Sequence, residues 1–228
     1  MWEAVREELA PYGFEMVTVA LDTGGVAAAG PWIERAVAHH PSLIDAAHVV
    51  DELFGIVNVP SGVWIDEDGM IVRPPETAYP RRPAFLDRAV KEDDPAHVRE
   101  RVLAIKKLRI DADTYMRALR DWVARGSQSS YALAPQEVVR RARPRSLEEA
   151  TAAAHFEIGQ HLYREGQPDA AIPHFRAAHQ LHPDNWTYKR QAWTFVDPLQ
   201  GPNDVYDGDW LSDVGRIGAE NYYPALEM

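Results

Sequence analysis

Along residues 1–76 the hydrophobic positions switch between helical and strand periods, and each switch marks a predicted element. Trp2, Val5 and Leu9 recur at helical spacing. Residues 14–21 form a mostly apolar, β-branched run, which is typical of a strand buried on both faces of a parallel sheet. Three more elements are predicted: a helix beginning at Pro31, a short edge strand at Ser42–Asp45, and a helical turn from Ala47 to Phe54 that ends at Gly55.

A β-hairpin preceded by a proline bend is the next predicted feature. Ile65 and Ile71 lie in β-prone runs on either side of residues 66–69, Asp-Glu-Asp-Gly, where Asp-Gly supplies the positive φ of a tight reversal. Pro60 cannot donate to a β-ladder, so we place it at the start of the first strand. The second strand is predicted to end at residues 74–75, which are both proline.

The C-terminal half of the chain is predicted to be helical. Its pattern resembles one tetratricopeptide repeat of about 34 residues. The matching positions are Ile158, Gly159, Leu162, Gly166, Ala171, Phe175, Ala178 and Pro183. Small residues at such positions let two helices approach closely, while Phe175 fills the space between them. One repeat cannot bury its own apolar faces. We therefore expect it to pack on a following helix from Trp186 to Trp193 and on the amphipathic Asp113 to Arg125 segment.

The last residues of the chain combine aromatic and acidic side chains. Tyr206, Trp210, Tyr222 and Tyr223 occur within residues 204–228. Aromatic side chains at this density seldom stay solvated. We expect this tail to pack back onto the chain or onto a second subunit.

The elements of the first third resemble, in order, the second half of a thioredoxin-like domain, as in redoxins, thiol-disulfide oxidoreductases and alkyl hydroperoxide reductase-like proteins. The resemblance implies an α/β fold, an incomplete thioredoxin-like sandwich followed by the helical repeat region. It also implies a cis bond before Pro60 and a substrate-binding groove at Val59, Pro60 and Ser61, where the main chain of Val59 faces an extended polypeptide.

The family normally begins about one strand earlier, with Trp-Cys-x-x-Cys at the start of the first helix, but this chain contains no cysteine. Two functions follow. In the first, the reactive cysteine or selenocysteine of a redoxin is encoded upstream of Met1, for example beyond a misread selenocysteine codon. In the second, the chain is a redox-inactive binding or scaffold module. Because methionines do not exchange disulfides, no catalytic residue is predicted in this chain.

Composition and motif content limit the classes of partner and ligand that we expect. The net charge of −11 disfavours nucleic acid. No apolar run has the length of a membrane span and no secretory leader starts the chain, so a cytoplasmic protein is expected. The histidines lack the spacing of a helical zinc site, and no dinucleotide loop is present, so neither a metal nor a cofactor is predicted. A sheet edge left unpaired by the missing strand favours self-association. A protein or peptide partner is expected at the cis-proline groove or on the repeat helices.

Four parts are predicted along the chain. These are a truncated thioredoxin-like domain at 1–76, a helical connector at 77–146, the repeat with its cap at 147–196 and the aromatic tail at 197–228.

The cluster of Arg140, Arg141, Arg143 and Arg145 is interpreted as a solvated linker rather than a phosphate site.

Overall fold

The computed structural model describes residues 1–228 and contains ten α-helices and four short strands. In chain order the elements are α1 (Trp2–Leu9), β1 (Thr18–Leu21), α2 (Gly25–Ala36), β2 (Ser42–Asp45), α3 (Val49–Phe54), β3 (Ser61–Ile65), β4 (Ile71–Thr77), α4 (Ala96–Ile105), α5 (Ala112–Arg125), α6 (Pro135–Arg141), α7 (Leu147–Arg164), α8 (Pro168–Leu181), α9 (Trp186–Val196) and α10 (Trp210–Ile217). None of the helices has the length and hydrophobicity that a bilayer span requires.

The strands form two separate two-stranded sheets. β1 pairs with β2 in parallel, with Thr18 opposite Ser42. β3 pairs with β4 in an antiparallel hairpin. The predicted α/β class is therefore confirmed in its coarse form, a mixed α/β protein with a helical C-terminal region. The finer prediction of an incomplete thioredoxin-like sandwich is not confirmed, since β1 and β2 form one sheet and β3 and β4 form another.

Several predicted boundaries and one burial pattern are corrected by the structure. β1 begins at Thr18 instead of residue 14, and α3 begins at Val49 instead of Ala47. α2 begins at Gly25, so Pro31 lies inside it instead of opening it; the preceding alanines are strong helix formers. β4 runs through Pro74 and Pro75 to Thr77. The strand tolerates both prolines because they oppose the single Val63, at a register irregularity where ladder donors are not needed. β1 is only half-buried along its length, although burial on both faces was predicted.

Helices α7 and α8 form the closely packed pair that the repeat pattern predicts. Phe175 is fully buried, and a Cβ atom added at Gly159 would lie 2.9 Å from its ring. Ser146 caps α7 through a capping box with Glu149. Close approach of the two helices therefore depends on the absence of a side chain at Gly159.

The aromatic tail packs on this helix pair, within the same chain. Tyr206 lies 5.9 Å from Phe175 between ring centroids, and Tyr222 lies 4.6 Å from Trp186. One cluster of 17 buried residues contains residues of the repeat, α9 and the tail. The tail thus covers the apolar faces that neighbouring repeats cover in longer arrays.

A buried polar network joins the α/β region to the helical region. His48 lies between Asp51 and Gln191, with Nδ1 at 3.0 Å from Asp51 Oδ2 and Nε2 at 3.1 Å from Gln191 Oε1. The backbone N–H of Thr23 donates to the same Gln191 oxygen at 3.0 Å. Since both ring nitrogens of His48 face acceptor oxygens, the doubly protonated imidazolium donates to both, while Asp51 Oδ1 has no hydrogen-bond partner.

Candidate functional site

An apolar groove of about 550 Å³ lies beside β1, and we call it the β1 groove. It is lined by residues of α1, β1 and α2 together with Ala38, His40, Ser42 and Val59. Trp32 lines it while keeping 68% of its surface exposed. An exposed aromatic side chain beside an open groove is a common feature of binding surfaces.

The edge of β1 that does not face β2 has no strand partner. The N–H of Thr18 donates to the carbonyl of Pro41 at 3.0 Å, and the N–H of Asp22 donates to the carbonyl of Asp45 at 3.3 Å. Backbone groups of alternate residues point to opposite edges of a strand. The N–H and C=O groups of Val19 and Leu21 therefore point away from β2, and β1 pairs with β2 alone.

Val59 is the predicted site residue that lines this groove; Pro60 and Ser61 lie outside the lining. The Val59–Pro60 bond is cis, as the resemblance implies. The carbonyl of Val59 accepts from Tyr223 Oη at 3.3 Å. The carbonyl of Pro60 accepts from the N–H of Ala78 at 3.1 Å, and the hydroxyl of Ser61 donates to the carbonyl of Asn58 at 2.8 Å. Pro60 and Ser61 thus stabilise the loop before β3.

Carboxylates lie at both ends of the β1 groove. Glu3 is at the Thr18 end, where His40 Nδ1 lies 2.9 Å from Glu3 Oε2 and His40 Nε2 lies 3.2 Å from Thr18 Oγ1. The backbone N–H of His39, together with the imidazoles of His40 and His39, lowers the pKa of Glu3 to about 2. Asp22 lines the Leu21 end. The groove is therefore apolar along its length and acidic at its ends.

A second cavity, of about 470 Å³, lies between α3, the end of α6 and residues 224–227. The four arginines that were interpreted as a solvated linker line it. Arg140 and Arg141 pair with Glu137, Arg143 pairs with Glu149, and Arg145 pairs with Glu52. Arg141 also lies within ion-pair distance of Glu76 and Glu227, so every guanidinium at this cavity has a carboxylate partner. The linker is exposed at Arg140 and Arg143, as expected, but its charges are paired.

The sequence predicted an unpaired sheet edge but not the helical wall of the groove. Trp32 and Ile33 line that wall from α2. The helix predicted from Pro31 contained both residues but left out Ala29, which lines the same wall. The helical phase of residues 25–36 was the signal that could have placed them on one face.

Comparison with protein-family models finds a tetratricopeptide repeat at residues 152–185, which covers most of α7 and all of α8. No curated protein and no solved structure matches the chain. The thioredoxin-like resemblance gains no support from these comparisons and stays a prediction. The chain is therefore a mixed α/β protein that contains one tetratricopeptide repeat.

Proposed function

We propose that this protein is a redox-inactive binding module that holds an extended polypeptide segment in the β1 groove. The observation that carries this proposal is the free edge of β1 beside an apolar groove. In strand addition, main-chain hydrogen bonds to a free edge supply affinity, and pockets for alternate side chains supply specificity. Val19 and Leu21 offer such main-chain groups, while Trp32 and Ile33 offer an apolar wall.

The tetratricopeptide repeat supports a role in protein binding, because such repeats commonly mediate contacts between proteins. Here, however, the repeat itself is covered. Phe156 and Phe175 are 1% and 0% exposed. Tyr188 of α9 stacks on Phe156, and Tyr206 of the aromatic tail packs on Phe175. We assign the repeat a supporting role, in which α7 and α9 hold the loop after β1 through Gln160 and Gln191.

Composition supports redox inactivity. A thiolate is the nucleophile of disulfide exchange, and the chain has no cysteine. We expect no insulin reduction by the purified 228-residue chain in a thioredoxin-type assay. The redoxin function with a nucleophile upstream of Met1 has no observation in its favour.

The division of the chain into four parts is kept as a proposal with one modification. Tyr79, from the start of the connector, and the tail both belong to the buried cluster of the repeat. We propose that the repeat, its cap and the tail unfold together as one cooperative unit.

Peptide binding tests the proposed function. A fluorescein-labelled peptide of alternating apolar, β-prone residues is titrated with the full chain and followed by anisotropy. The control peptide has the same length, with proline substituted at alternate positions, which removes the N–H donors that strand addition needs. We expect saturable binding of the first peptide and weak binding of the second. Equal binding of the two peptides contradicts the proposal, and so does no binding of either.

Two variants locate the binding site. Trp32→Ala removes the exposed aromatic wall, and we expect about tenfold weaker binding, the usual effect of removing an aromatic anchor. Val26→Ala is the matched control, since Val26 is 74% exposed on the same helix and lies outside the groove. Unchanged affinity in Trp32→Ala, or an equal loss in Val26→Ala, places binding elsewhere.

A further inference from the structure

Two carboxylates and an imidazole converge at the Thr18 end of the β1 groove. Glu3 and Glu7 are one turn apart on α1, so their side chains share a face of the helix. His39 lies in the segment between α2 and β2. One potential ligand atom from each of these three residues lies within 4.8 Å of the other two. This set mixes imidazole nitrogen with carboxylate oxygen, which is the ligand chemistry of zinc-type ions.

One pair of these atoms already has the separation of two ligands on one ion. His39 Nδ1 lies 3.2 Å from Glu3 Oε1. Two ligands of a tetrahedral zinc ion with bonds of about 2.0–2.1 Å lie roughly 3.4 Å apart. An ion can therefore replace the proton between these atoms with little backbone movement. Glu7 is exposed and has the rotamer freedom to complete the set.

The surroundings hold Glu3 in the orientation that such a site needs. Its Oε2 accepts from the backbone N–H of His39 at 2.9 Å and lies 2.9 Å from His40 Nδ1. The side chain of His40 is only 4% exposed, and its other ring nitrogen lies 3.2 Å from Thr18 Oγ1. These contacts fix Oε2 and leave Oε1 facing His39. Outer partners of this kind orient metal ligands in known sites.

The Arg6 guanidinium, which would compete with a metal ion for Glu3, forms only a long ion pair with it. Arg6 Nη1 lies 3.9 Å from Glu3 Oε1, at the limit of an ion pair. Its guanidinium is engaged more closely by Glu15, with Nε at 3.1 Å from Oε1. Arg6 therefore leaves the Glu3 and Glu7 carboxylates available to a divalent ion.

We propose that Glu3, Glu7 and His39 bind one divalent transition-metal ion of the zinc type, through two carboxylate oxygens and one imidazole nitrogen. Three protein ligands leave a fourth position for water or an incoming ligand. The imidazole favours Zn²⁺ or Co²⁺ over Ca²⁺ and Mg²⁺, which take oxygen ligands. This site is independent of peptide binding. The ion would tie α1 to the segment before β2 where both border the β1 groove.

Metal titration of the full chain tests this site. The protein is prepared without an affinity tag, because Met1 lies beside Glu3 and a histidine tag binds the same ions. Calorimetry with ZnCl₂ and visible absorption with CoCl₂ are each expected to show one equivalent bound. In both Glu7→Gln and His39→Gln we expect affinity to fall by about tenfold or more, because each variant removes one of three ligands. Both side chains are exposed, so the far-UV circular dichroism should stay unchanged.

Matched controls carry the same substitutions at other exposed positions. Glu157→Gln and His161→Gln, both on α7, should bind as the unaltered chain does. Four outcomes overturn the proposal: no binding of one equivalent, affinity unchanged in Glu7→Gln and His39→Gln, tighter binding of CaCl₂ than of ZnCl₂, and loss of binding in His174→Gln instead. The last outcome would place the ion at the His155–His174 pair, where the two Nδ1 atoms lie 3.0 Å apart.

Discussion

The helical C-terminal region completes its core within the chain, whereas the α/β region leaves one sheet edge and several apolar side chains open. Phe175, Trp193 and Val214 are fully buried in one cluster. In contrast, every residue of β1 is only half-buried, and Trp32 is mostly exposed. A single tetratricopeptide repeat is thus stabilised without further repeats, because a tail supplies their packing surface. The sheet edge of β1 has no such cover, since β1 pairs with β2 alone.

The polar networks of the molecule also differ in whether they are buried or reach the surface. A buried network at the boundary between the regions is formed by His48, Asp51, Gln191 and Thr23. At the open end of β1, Glu3 and His40 form a network that continues to exposed His39. Buried polar networks specify packing, whereas the network at the Thr18 end of β1 reaches the solvent through His39.

The largest expected effect tests whether the helical core stabilises the whole chain. Phe175→Ala removes a fully buried ring between the repeat helices and the tail, and we expect unfolding free energy to fall by about 3–5 kcal/mol. Urea denaturation followed by tryptophan fluorescence measures this loss. Val139→Ala is the control, because Val139 is 70% exposed and should change stability by less than about 0.5 kcal/mol. Similar losses in the two variants would mean that the cluster around Phe175 is not the main core.

Alanine substitutions at two helical glycines test the close packing of the repeat helices, with an expected change in stability of intermediate size. Gly159→Ala places a methyl group 2.9 Å from the Phe175 ring, and we expect a net loss of about 1–2 kcal/mol, since overpacking outweighs the gain in helix propensity. Gly215→Ala lies on α10 with no atom within 4 Å of the added group, so a gain of up to about 1 kcal/mol is expected. Stabilisation of both variants in thermal melts would show that α7 and α8 are not closely packed at Gly159.

The smallest expected effect is a pH dependence at the boundary between the two regions. Burial alone would lower the pKa of His48, but the hydrogen bond and charge of Asp51, with Gln191 and Asp45, outweigh it and raise the pKa above its ordinary value of 6.5. The folded protein therefore holds this proton more tightly than the unfolded chain does. The resulting stabilisation is fully present below about pH 6.5 and is lost as pH rises through the folded pKa.

Denaturant midpoints measured from pH 5 to pH 9 test this sign; the range spans about 1.5 units below and 2.5 units above the ordinary histidine pKa. The stability difference between the unaltered chain and His48→Gln should shrink as pH rises. His161→Gln, an exposed control, should follow the unaltered chain across the range. A difference that grows with pH would show that His48 is buried as the neutral ring.

Local signals explain which elements the sequence predicted well. α1, β2 and α5 lie at or within one residue of their predicted positions, and Gly55 and Gly69 have the positive φ that the helix end and the hairpin turn require. These features depend on periodicity and on backbone preferences within a few residues. The repeat pair follows from the same kind of signal, because its small residues and Phe175 recur at fixed positions.

The sites, in contrast, depend on which residues, far apart in the sequence, come together in the folded chain. The sequence placed Val59, Pro60 and Ser61 together, yet only Val59 lines the groove. His39 and Glu3 are 36 residues apart, and neither carries a local signal for the other. By itself the sequence determined the mixed α/β class, the helix pair and the absence of a thiol. The tertiary structure decided the groove, the pairing of the arginines and the Glu3–Glu7–His39 set, because non-local packing selects which side chains converge.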